Sequence, residues 1–262
     1  MRSGVVSGIP PAARVQGAYL LVSLIIPAHD EVRLIARTVG NLFAAAGQAG
    51  LACEVIVADD ASTDGTGAAA RGAGAIVVRH ERRQIAATRN LGARVARGRL
   101  LIFVDADTWP SSTALRQAVE AMESGAAGGG ASMRFDGRVP LYARLIAPLF
   151  NFAFRIRGRS GGAFFFCRRE ALQAVGGWDE SVYAGEEINL AVALKEIGPF
   201  AVIREPVLTS GRKLRSHSGW ELLGVLLRLV RDPRSIQKRE NLDVWYGPRR
   251  RDDPDRADGS VS

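Results

Sequence analysis

Leu100-Leu101-Ile102-Phe103-Val104-Asp105-Ala106-Asp107 decides how the rest of the chain is read. Its leading apolar run predicts a strand buried on both faces, as in a parallel sheet. Two carboxylates follow, separated by one small residue. In an extended chain, residues two apart point the same way, with Cα atoms roughly 6.6 Å apart at about 3.3 Å per residue. Two unit charges roughly 6 Å apart repel by about 3 kcal/mol at an effective dielectric near 20. A hard divalent cation removes that cost and can take a phosphate as a further ligand. Open α/β sheets bind ligands just beyond the carboxyl ends of their strands, where this pair falls.

Working outward, residues 20–27, 54–59 and 75–79 read as further strands beside 100–105. Segments of helical composition lie between them, near residues 31–46, 65–71 and 84–97. Strands alternating with helices imply βαβ units, right-handed crossovers and a mostly parallel sheet. The second half is less regular. Residues 111–123 predict a helix with Ser111 or Ser112 as cap. Residues 131–135, 162–168 and 200–208 predict strands, and Gly176-Gly177-Trp178-Asp179 a turn. Residues 186–197 read as a helix, with Leu190, Leu194 and Ile197 on one face. Residues 1–17 are expected to form a loose arm. Residues 248–262, charged and poor in apolar side chains, read as a disordered tail.

The 262-residue chain is 47% hydrophobic, enough for a substantial core. Its net charge of +8 favours anionic partners such as nucleotide phosphates or an acidic membrane surface. Nucleic acid is disfavoured, since no zinc-finger, RNP or KH pattern is present. Cys53 and Cys167 form no metal-type pair and no disulfide framework, and read as reduced core thiols. No secretory leader pattern is legible, and the apolar runs are too short to span a bilayer. The expected location is therefore cytoplasmic, with peripheral contact at the inner membrane face as an extension.

Three strand ends carry acids: Pro27-Ala28-His29-Asp30-Glu31, Asp59-Asp60-Ala61-Ser62-Thr63-Asp64-Gly65-Thr66 and Asp105-Ala106-Asp107. Taken singly, each has a local explanation, because Asp, Ser and Thr make turns and caps, and Glu31 suits a helix N-terminus. Together they predict acids converging at one sheet edge. With Arg89-Asn90-Leu91-Gly92, their order and spacing resemble a family 2 glycosyltransferase of the GT-A fold, over about residues 20–208. That resemblance implies a single Rossmann-like α/β domain over residues 18–247. Its nucleotide-binding half would span about 18–110 and its acceptor half about 111–247. It further implies a nucleotide-diphosphate sugar donor and a divalent metal, Mg or Mn. By position, Glu31 and Asp60 would contact the nucleoside, Pro27 would line the substrate site, and Arg89 would lie near the base or diphosphate. Asp105 would touch the ribose or the sugar, and Asp107, with Asp105, would bind the metal. His29-Asp30 departs from the aromatic residue and Asn frequent in the family.

Gly185-Glu186-Glu187-Ile188-Asn189-Leu190 resembles the family's acceptor-side motif, in which an acidic pair opens a helix. Glu187 stands where the catalytic base is usually Asp, and Asn189 also replaces a frequent Asp. The Glu186-Glu187 pair equally compensates a helix N-terminus, worth about 0.3–1 kcal/mol per charge. Some GT-A enzymes complete the metal shell with a C-terminal histidine, and the resemblance implies that role for His217, the best-placed of the three, against the commoner case of an incidental histidine. Arg212, Lys213 and Arg215 would neutralise a departing diphosphate as a mobile loop closes, or form a solvated basic loop. Residues 141–157 and 220–231, apolar and basic, would pack on the sheet, lie on a membrane or line a groove for a lipid-linked acceptor. The resulting expectation is an inverting sugar transfer to a saccharide or lipid-linked hydroxyl, with Glu187 as base. Its rivals are a nucleotidyltransferase of related fold and a degenerate, non-catalytic binding domain.

Overall fold

The computed structural model describes residues 21–137, 139–140, 162–216, 237 and 242. In chain order these form β1 (Leu21–Ala28), α1 (Val32–Gln48), β2 (Ala52–Asp60), α2 (Thr66–Gly72), β3 (Ile76–His80), α3 (Ile85–Val95) and β4 (Leu100–Val104). Then come β5 (Thr108–Trp109), α4 (Ser112–Glu123), β6 (Gly128–Phe135), β7 (Phe164–Arg168), α5 (Arg169–Ala174), α6 (Glu186–Ile197), β8 (Phe200–Thr209) and α7 (Arg212–Ser216).

The strands join one eight-stranded sheet in the order β3-β2-β1-β4-β7-β6-β8-β5. The first four strands pair in parallel, as expected of βαβ units. Strand β7 runs antiparallel to both β4 and β6, whereas β6 and β8 are parallel. The single α/β domain is thus mostly parallel, with an antiparallel strand inserted beside β4.

Period-two alternation sorts the central strands between two cores. Leu100, Ile102, Val104, Phe164 and Phe166 meet Ile35, Val39, Leu42 and Leu115 from α1 and α4. Leu101, Phe103, Phe165 and Cys167 meet Ala86, Leu172, Leu190 and Leu194 from α3, α5 and α6. Each wholly buried Phe of the 164–166 run contributes roughly 1.5–3 kcal/mol. Trp178 closes the second core, its ring edge-on to Phe103 at 5.0 Å and to Phe165 at 5.1 Å. Burial pushes the Cys167 thiol up to about 12 and that of Cys53 to about 11, so both are unreactive.

Gly129 is required where β6 is flanked by β7 and β8. A Cβ there would sit 2.0 Å from the Ala201 carbonyl oxygen and 2.4 Å from the Phe166 ring.

The expected arm (1–17), the charged tail (248–262), the two apolar-basic stretches and His217 lie outside the described residues. Among the described residues no helix is long and apolar enough to cross a membrane.

Candidate active site

The sheet order reverses between β1 and β4, since β2 lies to one side of β1 and β4 to the other. Ligands bind at such switch points, outside the carboxyl ends of the strands. A cavity of about 470 Å³ opens there. Pro27, Glu31, Asp60, Arg89, Asp105, Asp107, Glu186 and Glu187 all line it. Arg212 reaches the same acids from α7.

Asp105 and Asp107 do not continue the strand. β4 ends at Val104, and the chain turns, with the Thr108 amide donating to the Asp105 carbonyl at 3.0 Å. This corrects the extended geometry expected from the sequence. Nonlocal contacts impose the turn. The Asp105 amide donates to the Ala163 carbonyl (3.0 Å), and the Thr38 hydroxyl of α1 donates to the Ala106 carbonyl (2.7 Å). Trp109 Nε1 then holds Thr38 Oγ1 at 3.1 Å. Two-residue β5 pairs with β8, so the Ser210 amide reaches the Asp107 carbonyl at 2.9 Å.

That pairing delivers Arg212. Its guanidinium grips Glu31 through two bonds, Nη2 to Oε1 at 2.8 Å and Nη1 to Oε2 at 3.0 Å. The same Nη2 stands 3.4 Å from Asp107 Oδ2. Such a fork matches a carboxylate or a phosphate equally well. The basic stretch expected as a loop is instead one helical turn, and Arg215 is turned away, donating from Nη1 to the Asp136 carbonyl at 2.9 Å. Asp136 lies far away in sequence, so local reading gave no sign of this tie.

Asp60 is heavily engaged. Its carboxylate accepts from the amides of Arg83 (2.7 Å) and Gln84 (2.8 Å), at the start of α3, and from the Thr88 hydroxyl (2.9 Å). Three non-glycine residues around this end have positive φ: Asp30 (48°), Ala61 (58°) and Arg83 (52°). Each is held by nonlocal bonds, such as the Ala61 amide to the His80 carbonyl at 2.8 Å and the Asp30 amide to Ser62 Oγ at 3.0 Å. Strain retained this way is characteristic of ligand sites. The Arg83 guanidinium also contacts the His29 ring, which meets the Asp60 carbonyl at 2.6 Å.

On the opposite wall, α6 begins after Gly185 and presents Glu186 and Glu187. Glu186 is buried and accepts from Arg89 Nη1 at 2.6 Å. Arg89 Nη2 donates to Asp105 Oδ1 (3.1 Å) and to the Gly162 carbonyl (3.0 Å). Burial opposes the Arg89 charge, but Asp105, Glu186 and Glu187 outweigh it and raise its proton affinity. Burial, reinforced by the Glu186 carboxylate, pushes the Glu187 carboxyl up to about 7, with Arg89 pulling the other way. A carboxyl near neutrality is poised to accept a proton at physiological pH. Asn189 points elsewhere, donating from Nδ2 to Asp179 Oδ2 at 2.9 Å. An Asp at 189 would set two carboxylates against each other there.

Among the described residues no three His, Cys, Asp or Glu side chains gather to cage a metal. The donor set still fits Mg²⁺ or Mn²⁺. Such ions commonly take one or two carboxylates and complete their shell with phosphate oxygens and water. Asp107 and Asp105 supply hard oxygens at the cavity, and Asp107 already lies against the Arg212 cation. Gln84, Thr88, Tyr183 and the supporting Thr38 and Trp109 were not singled out from sequence. A Thr amid apolar positions of α1 was the only trace of that support.

No curated protein matches the chain at a significant level. Solved structures do. A mannosyltransferase from Pyrobaculum calidifontis, in complex with GDP-Man and Mn²⁺, is 22% identical over 84% of this chain and 69% of its own, with a TM-score of 0.58. Mannosyl-3-phosphoglycerate synthase from Rubrobacter xylanophilus is 21% identical, covering 82% and 75%, with a TM-score of 0.58. Glucosyl-3-phosphoglycerate synthase from Mycobacterium tuberculosis is 22% identical, covering 86% and 80%, with a TM-score of 0.57. These likenesses establish the shared GT-A fold. The model of Glycosyl transferase family 2 matches residues 23–175, more than half of the chain. The chain therefore belongs to glycosyl transferase family 2 and is a glycosyltransferase.

Proposed function

We propose that the cavity binds a nucleotide-diphosphate sugar with a divalent metal and transfers the sugar, with inversion, to a saccharide or lipid-linked hydroxyl. Glu31 and Asp60, beside Pro27, take the nucleoside side, and Asp105 the ribose or sugar. Asp107, with Asp105 and His217, holds the metal. Bound there, Mg²⁺ or Mn²⁺ would supply Lewis-acid stabilisation of the diphosphate. Arg212 exchanges its carboxylate partners for diphosphate oxygens and balances the leaving-group charge. The acceptor oxygen attacks the anomeric carbon and gives its proton to Glu187. The bond from that carbon to the diphosphate oxygen breaks, and the nucleoside diphosphate departs with the electron pair.

One observation carries this reading. Glu187, with its proton affinity raised to about 7, shares a single cavity with the Asp105–Asp107 turn. The mannosyltransferase complex with GDP-Man and Mn²⁺ supports the choice of donor class and metal. Incubation with UDP-, GDP- and TDP-sugars, with Mn²⁺ or Mg²⁺, tests it. Metal-dependent release of a nucleoside diphosphate is expected. Pyrophosphate chemistry would favour a nucleotidyltransferase, and binding without turnover a non-catalytic domain.

A further inference from the structure

Arg89 has an environment unlike that of a donor ligand. Its side chain is 1% exposed. Although it borders the cavity, both of its Nη groups are committed to protein acceptors: Glu186, Asp105 and the Gly162 carbonyl. Its planar face lies 4.4 Å from the Trp178 ring centroid. One guanidinium therefore joins α3, the turn after β4, the approach to β7 and the first turn of α6. Only a planar fork makes this set of bonds, since an ammonium is a point donor without fixed directions.

Its bond to Glu186 has a geometric consequence. Glu186 opens α6 and is 4% exposed, and a carboxylate so deeply buried needs a partner. Successive helical residues are set about 100° apart around the axis. Pinning Glu186 against Arg89 therefore fixes the rotation of the first turn and aims the next residue, Glu187. The same guanidinium anchors Asp105 on the donor side, so the two halves of the site are held in register by one side chain.

We infer that Arg89 is a positioning residue: it acts on acceptor deprotonation through Glu186 and fixes the distance between base and donor, without binding the donor. This rests on Glu187 being the base. A displacement of about 1 Å in such a constellation costs on the order of 100-fold in rate.

The test uses the full chain with Mn²⁺ and the nucleotide sugar that supports turnover. For each variant kcat, KM, nucleoside diphosphate affinity and Tm are measured. Arg89→Met is expected to lose about 100-fold in kcat while nucleoside diphosphate affinity stays within about 3-fold. Arg89→Lys should recover part of kcat, because it restores charge without the fork. The double variant Arg89→Met/Glu186→Met removes both buried charges and should regain the Tm lost in the single variant, but not kcat. That split separates aiming of the base from folding. A loss of nucleoside diphosphate affinity matching the loss of kcat would make Arg89 a donor ligand and overturn the inference. Recovery of kcat along with Tm in the double variant would reduce it to a fold contact. Should Arg89→Met fail to fold, Arg89→Lys and Glu186→Gln decide: each should lower kcat at least about 10-fold at unchanged nucleoside diphosphate affinity, and unchanged kcat in both overturns it. Undiminished turnover in Glu187→Gln would instead defeat the base assignment itself, whatever the Arg89 variants do.

Discussion

Replacing Glu187 with Gln should make the protein more stable and nearly inactive at once. Burial and the Glu186 carboxylate raise the Glu187 carboxyl from the ordinary 4.5 to about 7. Each tenfold change in proton affinity is worth about 1.4 kcal/mol, so keeping Glu187 ionised costs the fold about 3 kcal/mol. The folded value lies above the unfolded one, so between those two values the folded chain holds more protons. Wild-type stability therefore falls as pH rises through that window, and the penalty is complete above about 7. Gln mimics the protonated form and carries no such penalty. Urea unfolding at about pH 4.5 should give equal stabilities, and at about pH 8 the variant should gain about 3 kcal/mol, or roughly 6–12 °C in Tm. Turnover should drop about 100- to 10,000-fold, the usual worth of a general base. In the wild type, kcat should rise with pH and level off above about 7. A variant that tracks wild-type stability at every pH would refute the electrostatic reasoning, and undiminished turnover the chemical one.

Two further substitutions probe the walls of the site. Arg212→Met leaves Glu31, which is 5% exposed, without its bidentate partner. It should lower stability by about 2 kcal/mol, the usual cost of a broken buried pair discounted for the partial exposure of Arg212. Nucleoside diphosphate affinity, read by calorimetry, should fall about tenfold, and an unchanged value would remove Arg212 from the donor site. Gly129→Ala forces a methyl to within 2.0 Å of the Ala201 carbonyl oxygen across the β6–β8 ladder. Relief requires the strands to part, so urea titration should show a loss of at least about 3 kcal/mol; a near-neutral result would mean the ladder is looser than described.

Local patterning revealed the strands because buried strands are written as short apolar runs. The strands at residues 100–104 and 164–168 are legible from such runs. It could not reveal that β7 runs antiparallel, since a strand covered on both faces carries the same apolar signature in either direction. Two-residue β5 is too short to leave a periodic trace, yet it brings β8 and Arg212 to Asp107. The acids at the strand ends were legible because topology sends consecutive parallel strands to one edge. What Arg89 and Arg215 bind was not, because Glu186 and Asp136 lie far from them in sequence. The extended geometry assumed for Asp105 and Asp107 failed for the same reason: Thr38 and Ala163, both distant, bend the chain there.

The proposed transfer depends above all on the Asp105–Asp107 turn holding a metal–diphosphate unit. Mn²⁺ titration followed by electron paramagnetic resonance, with and without a nucleoside diphosphate, tests it most directly in the wild type and in Asp107→Ala. One tightly held ion is expected in the wild type, bound more strongly when the nucleotide is present, and lost in Asp107→Ala. Equal Mn²⁺ binding by both proteins, or none by either in the presence of nucleotide, would contradict it.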